Sequence, residues 1–256
     1  MTEDVKEEQE SQPLVTHLIE LRDRLLRCIY ATLGLFLAMA YFSNRIYAFI
    51  TQPLTSLLRE FNEGTLIVTD VTGSFVAPLK LTFYIALFVT MPYIIYQIWA
   101  FIAPALYRHE RRLAIPLFIS SVILFYIGAA FANFLIIPGA FKFFMLFAPA
   151  NVTVNPDITM VLDFIIKVSL AFGIAFEIPI AVVILLVTGV TTAESLIAKR
   201  SYVIVGCFII AMFLTPPDVM SQFMMAVPLW GLFECGVYFG RWIVNSRPKD
   251  NVPDYE

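Results

Sequence analysis

Apolar runs of about twenty residues, the length that crosses a bilayer as helix, recur along this chain, and charges or prolines bound each of them. Repeated runs of this kind exclude an ordinary soluble domain. Composition agrees, with 59% hydrophobic and 14% charged residues against about 25% charged in soluble chains. The formal net charge of −3 matters less than where the charges fall. Cys28, Cys207 and Cys235 lie in or beside apolar runs without paired spacing, which predicts packing residues rather than a disulfide set or metal site. Ala38, Met39 and Ala40 match a small-x-small cleavage pattern. The region before them is long and carries Glu3, Asp4, Glu7, Glu8 and Glu10, the wrong charge for a secretory leader, so an uncleaved first span is expected.

Residues 1–12 are acidic and polar and are expected to be disordered. From Pro13 onward, Leu14, Leu18, Leu21 and Leu25 recur at helical spacing, and Glu20–Arg24 and Asp23–Arg27 are i,i+4 pairs in the favourable order. A short interfacial helix running into a first span over Leu25–Phe42 follows. Asn44 to Ala77 is the longest connection. It has a broken amphipathic piece and a β-like run at 65–69, and predicts a partly ordered cap. Further spans are expected over Pro78–Phe101, with a kink at Pro92, over Leu113–Ile137, and over Met160–Val187. Pro138–Thr159 reads as a second outer segment. Thr191 and Glu194 have capping-box spacing for the next helix.

The last two spans are expected over Ser201–Leu214 and Val219–Phe239. The first of these is short, about 21 Å at ~1.5 Å per residue against a hydrocarbon core of about 30 Å. Lys6, Arg22, Arg24, Arg27, Arg108, Arg111, Arg112, Lys199, Arg200, Arg241, Arg247 and Lys249 fall in alternate segments and ends. Only Arg45, Arg59 and Lys142 fall in the others. The positive-inside rule then puts both termini in the cytoplasm. The expected fold is all-α and polytopic: six transmembrane helices, N-in/C-in, in a membrane domain over 13–243 with a cytoplasmic polar tail over 244–256. The two halves show no repeat.

Several polar residues stand out against this background. Glu177 lies about 25 Å along its helix from Met160 at ~1.5 Å per residue. Ser169, Gly173 and Glu177 form one narrow polar face, and Pro179 frees a carbonyl nearby. A carboxylate at that depth is a functional candidate; the alternative is a protonated side chain bonded to a neighbouring helix. Lys80 and Lys167 read as snorkelling anchors. Glu234 could reach the inner interface. Asp218 and Gln222 flank the tip of the short hairpin, where turn and capping chemistry is the simpler reading and contact with another inserted helix the functional one. Glu20 and Glu110 sit at cytoplasmic edges among arginines. Each carboxylate suits bidentate capture of a guanidinium, but local ion pairs explain them as well. His17 and His109 beside them lack the spacing of a metal site. No enzymatic motif is present.

HLIELRDRL (17–25), FIAPALYRHERR (101–112), AFGIAFEIPI (171–180) and LTPPDVMSQ (214–222) together resemble the TatC family, the signal-peptide receptors of the twin-arginine protein translocase. The resemblance covers about residues 12–242. It implies a cupped six-helix protein of the bacterial inner membrane that binds twin-arginine signal peptides and moves folded proteins using the proton-motive force. Neither a cofactor, nor a metal, nor nucleic acid, nor an enzymatic step is implied. On this resemblance Glu20 and Glu110 take the arginine pair, with Phe101, Leu106 and Arg22 alongside, and Glu177 lines the concave face. Thr215, Asp218 and Gln222 belong to the segment that meets the small single-span partner subunits, in a complex that holds more than one copy of the chain. The rival reading from the residues is a proton-coupled small-solute transporter using Glu177. It would call for paired broken helices in related halves, which the sequence lacks.

Overall fold

The computed structural model describes residues 2–50, 72–102, 111–146, 157–215 and 218–246, with the side chains of 2–15, 102, 111–114 and 145 outside that description. Most of the expected cap, the β-like run at 65–69, Leu106, His109, Glu110 and the tail after Ser246 therefore lie outside the described residues. The described elements are helical and fall into two compact units, divided within one helix between Phe118 and Ile119.

In the first unit α1 spans Thr2–Ala40 and turns into α2 (Ser43–Ile50) with a bend of 87°. The helical backbone starts at Thr2, where composition predicts disorder; the Glu, Lys and Gln residues that make the leader polar are also good helix formers. The amides of Arg45 and Ile46 both bond the Phe42 carbonyl, so α2 restarts one turn after α1 ends. α3 (Gly73–Ile102) runs through both Pro78 and Pro92 as one helix. It lies antiparallel to α1. Phe36 meets Phe83 edge-on at 5.7 Å, Arg24 meets Gln97, and His17 stacks on Phe101.

Among the described residues the second unit begins at Ile119 within α4 (Arg111–Phe131), which passes through a π-helical turn, Ala132–Ile136, into α5 (Ile137–Leu146). The expected span end at Ile137 is thus replaced by continuous helix. Pro138 has no N–H to continue an α-helical ladder. The wider turn lets Ile137 N–H reach Ala132 O, and Asn133 Nδ2 bonds the Ala129 carbonyl at 2.8 Å. α6 (Ile158–Ala175) begins on an Asp157 cap. α7 (Ile178–Val187) follows after a two-residue break at Phe176 and Glu177. Gly189, with φ 73°, closes α7 in the left-handed conformation that glycine adopts without strain.

α8 (Ala193–Ala198) is capped by Thr192, whose hydroxyl accepts from Ser195 N–H. The cap falls one residue later than the Thr191/Glu194 spacing predicts, and Glu194 instead bonds Arg241 at 3.1 Å. α9 (Arg200–Leu214) and α10 (Val219–Asn245) complete the unit. Its core joins the π-turn, α5, α6, α9 and α10 through Ile136, Ile137, Phe172, Ala211, Met225 and Leu229. α7 packs on α10 at Val182, Leu186, Phe233 and Val237. Gly236 and Gly240 permit that approach. A methyl on Gly236 would lie 2.8 Å from Pro179 Cα, and one on Gly240 would lie 2.4 Å from Leu186 Cδ1.

Among the described residues four helices are long and apolar enough to cross a membrane, or five where the bent α1–α2 pair counts as one span. α9 is shorter, at 15 residues. The chain is a multi-pass membrane protein. Many large apolar side chains stay exposed, among them Leu18, Leu25, Leu37, Phe134 and Phe213, as a lipid-facing surface requires.

Candidate functional site

On α1, His17, Glu20 and Arg24 follow i, i+3, i+7 spacing and share one face. α3 lies opposite and brings Gln97 and Phe101 to that face. Arg24 donates to a single oxygen of Glu20, Oε1, from NH2 at 2.6 Å and from Nε at 3.0 Å. Its NH1 donates to Gln97 Oε1 at 3.2 Å. Gln97 is only 6% exposed, while the Glu20 and Arg24 side chains are 39% and 21% exposed. Glu20 Oε2 lies 4.0 Å from His17 Nδ1, beyond hydrogen-bond length. The imidazole stacks on Phe101 with ring centroids 4.2 Å apart and planes 15° apart. The result is a carboxylate loaded on one oxygen, with no hydrogen bond to the other among the described residues, beside a flat aromatic pair. A planar cation fits such a place through charge-assisted hydrogen bonds and ring stacking.

Arg22 does not join this group. Its Nε and NH2 donate to Asp23 Oδ1 at 3.0 and 2.8 Å, so Asp23 pairs with Arg22 rather than with Arg27 as the helical spacing predicts. Leu106 and Glu110 lie outside the described residues, and nothing structural is assigned to them.

The second candidate centres on Glu177. The expected polar face is present and turned toward α4 and the π-turn. Ser169 Oγ accepts from Asn133 Nδ2 at 2.8 Å. Gly173 lies under the Phe125 ring, 2.6 Å from where a methyl would stand. Glu177 bonds the Ser121 hydroxyl, and Ser121 is fully buried. The partners ascend one helix as the residues descend the other, in antiparallel register. The span is broken here rather than continuous. Pro179 cannot bond the Ala175 carbonyl, α6 ends at Ala175, and Glu177 N–H turns back to Ile174 O at 3.0 Å. Glu177 Oε1 is buried without a hydrogen-bond partner among the described residues.

At the hairpin tip, Thr215 Oγ1 donates to Ala211 O at 3.0 Å and Asp218 Oδ1 accepts from Ser221 N–H at 2.7 Å. Both thus serve helix ends, as capping chemistry predicts. The Gln222 side chain makes no hydrogen bond among the described residues, although its amide bonds Asp218 O. Glu234 pairs through Oε2 with Arg200 at the start of α9, while its Oε1 is buried without a hydrogen-bond partner among the described residues. Of the cysteines, Cys207 is buried and Cys28 half-buried, but Cys235 is exposed and does not pack as expected. Among the described residues, no group of three or more His, Cys, Asp or Glu could hold a metal ion.

Sequence reasoning passes over Gln97, Ser121 and Asn133, which are amides and a hydroxyl inside apolar runs, Ser121 beside Ser120. That placement is the signal that could have found them, since polar groups within spans seek partners. Gly236 and Gly240 also form a small-xxx-small pair that the sequence displays plainly.

The family model described as Sec-independent protein translocase protein (TatC) matches residues 16–228 of the chain. The chain belongs to the TatC family. Its relatives in that family include the Sec-independent protein translocase protein TatC of Haemophilus influenzae, 50% identical over 94% of this chain and 93% of that one. The protein of the same description from Escherichia coli strain K12 is 50% identical over 93% and 92%, and that of Aquifex aeolicus 38% identical over 93% and 98%. A crystal structure of the twin arginine translocase receptor TatC superposes with a TM-score of 0.79 at 36% identity, covering 89% of this chain and 99% of that one. Membership of the TatC family gives the chain a role in protein transport rather than in catalysis, and it sets aside the small-solute transporter.

Proposed function

We propose that this chain is the receptor and core subunit of a twin-arginine translocase: it binds twin-arginine signal peptides of folded precursors and moves them across the bacterial inner membrane with the proton-motive force. The observation that carries the reading is the half-loaded Glu20, whose Oε2 has no hydrogen bond among the described residues and lies beside the His17–Phe101 stack. An arginine of the signal peptide docks there, and Glu110 takes the second arginine, with Leu106 and Arg22 bordering the site. Glu177 serves the step after binding. Thr215, Asp218 and Gln222 meet the small single-span subunits of the same complex, and several copies of the chain assemble within it. The membrane domain covers 13–243 in six spans, with α9 as the short fifth, between a polar leader over 1–12 and a polar tail over 244–256. Both ends are cytoplasmic, and no cofactor is needed.

The test is binding of a twin-arginine peptide and its twin-lysine version to the protein in nanodiscs. Lysine lacks the planar fork, so the arginine peptide is expected to bind clearly more tightly. Equal affinity for both, unchanged by Glu20→Ala combined with Glu110→Ala, would overturn the proposal.

A further inference from the structure

Glu20 does not hold its position alone. A free i,i+4 Glu–Arg pair on a helix surface can place the guanidinium fork across both carboxylate oxygens, and a ligand would then have to share each oxygen with Arg24. Here Nε and NH2 both converge on Oε1, and the remaining donor, NH1, is drawn away to Gln97. Gln97 is fixed where it stands. It sits on α3 and is nearly fully buried, two residues from Trp99, which is also buried. One hydrogen bond across the α1–α3 contact therefore sets the tilt of the Arg24 plane, and that tilt decides which oxygen of Glu20 is occupied.

We propose that Gln97 and Arg24 are positioning residues for arginine recognition: Gln97 anchors Arg24 so that its guanidinium loads only Oε1 of Glu20 and keeps Oε2 free for the incoming guanidinium. This rests on the receptor reading above. Arg24 is then neither a ligand of the peptide nor a competitor that must leave. A carboxylate offers about four lone-pair sites, so Glu20 can accept from Arg24 on one oxygen and from the peptide on the other. Charge favours the same division of labour. With Arg24 retained, the pair is neutral as a whole, and selectivity comes from the orientation of the open oxygen rather than from bulk attraction. A planar fork exploits that orientation, whereas an ammonium does not.

The experiment compares twin-arginine and twin-lysine peptide binding for the full chain in nanodiscs, with wild type, Gln97→Leu, Arg24→Gln, the double variant, and each single variant combined with Glu20→Ala. Gln97→Leu removes the acceptor at nearly constant volume. It is expected to weaken arginine-peptide binding by about five- to tenfold, the effect of one hydrogen bond, and to leave lysine-peptide binding nearly unchanged. The double variant is expected to lose no more than the weaker-binding single variant, because both act through one chain. With Glu20→Ala present, neither substitution should matter further. The Nε–H resonance of Arg24, read by nitrogen NMR without peptide, should move in Gln97→Leu.

An unchanged affinity ratio in Gln97→Leu would overturn the proposal, as would an equal loss with Glu20 removed. Tighter arginine-peptide binding by Arg24→Gln would also overturn it, by making Arg24 a competitor. The two readings fail differently. If wild type does not prefer the arginine peptide, yet the Arg24 resonance moves in Gln97→Leu, the receptor reading falls while the Gln97–Arg24 link stands. If wild type prefers arginine and neither the resonance nor the affinity responds, only the positioning role falls.

Discussion

Glu20 and Glu177 are the same side chain in opposite settings. Glu20 stands on a continuous helix, 39% exposed, with a guanidinium 2.6 Å away and one oxygen without a hydrogen bond among the described residues. Glu177 stands at a break between two helices, with a buried serine as its partner, one oxygen sealed, and no ion pair among the described residues. The first arrangement can exchange partners at little cost, because water remains available to both states. The second cannot, because an ionised carboxylate inside a span is expensive and the surrounding contacts are tight. The proposed function accordingly assigns recognition to the wet carboxylate and the step after binding to the packed one.

The largest effect that tests this contrast is at Glu20. Glu20→Gln keeps the shape but removes the charge that strengthens a guanidinium contact. It is expected to weaken twin-arginine peptide binding by about ten- to hundredfold, as for loss of a charge-assisted hydrogen bond. Fluorescence anisotropy in nanodiscs measures this, and binding within twofold of wild type would remove Glu20 from recognition. At Glu177 the pattern should invert. Glu177→Gln is expected to bind the peptide within about twofold of wild type, while transport of a folded precursor into inverted vesicles falls several-fold. Full transport by that variant would leave Glu177 a packing residue only.

These settings were unequally legible in the sequence. The spans were readable because apolar length carries its own signal, and the Ser169–Gly173–Glu177 face was readable because helical spacing fixes which residues share a side. The break at Glu177 was visible only as a proline two residues later, since Pro179 withholds a bond from a carbonyl upstream. The π-turn was not legible, because it answers Pro138 with a side chain, Asn133, whose role depends on Ala129 and Ser169 together. At Glu20 the spacing predicted the Arg24 pair correctly but could not show that Gln97 turns the guanidinium onto one oxygen. That is a contact across 73 residues of sequence, and no local pattern encodes it. The capping of α8 slipped by one residue because adjacent threonines offer two equivalent hydroxyls.

A smaller effect separates the packing around the two carboxylates. A methyl on Gly128 would meet Phe172 O at 2.5 Å and the Phe176 ring at 2.8 Å, one turn from Glu177. A backbone oxygen cannot step aside, so Gly128→Ala is expected to destabilise the protein by about 1–3 kcal/mol. On α1, Gly34 has open space around it, and Gly34→Ala should be neutral or stabilising by up to about 1 kcal/mol through helix propensity. Thermal unfolding in detergent reads both. Equal shifts would mean that the Glu177 region is no more tightly packed than the Glu20 helix.

The smallest effect uses Glu194 as a control for Glu20, since it too is an exposed carboxylate bonded to an arginine, Arg241. The Glu194 carboxyl is held below its usual range by its own backbone N–H and then by Arg241. A carboxyl depressed in the folded state contributes stability above its unfolded pKa and loses that contribution as pH falls through the folded value. The unfolding temperature of Glu194→Gln should therefore lie slightly below wild type at neutral pH, on the order of one degree for a pair this exposed. The gap should close as the pH drops below about 4, the ordinary carboxylate range, and added salt should narrow it at neutral pH. Peptide binding by Glu194→Gln should match wild type at every pH tested. If it instead falls as far as in Glu20→Gln, then any exposed carboxylate–arginine pair on this protein supports binding, and the one-sided loading of Glu20 loses its claim to be the feature that matters.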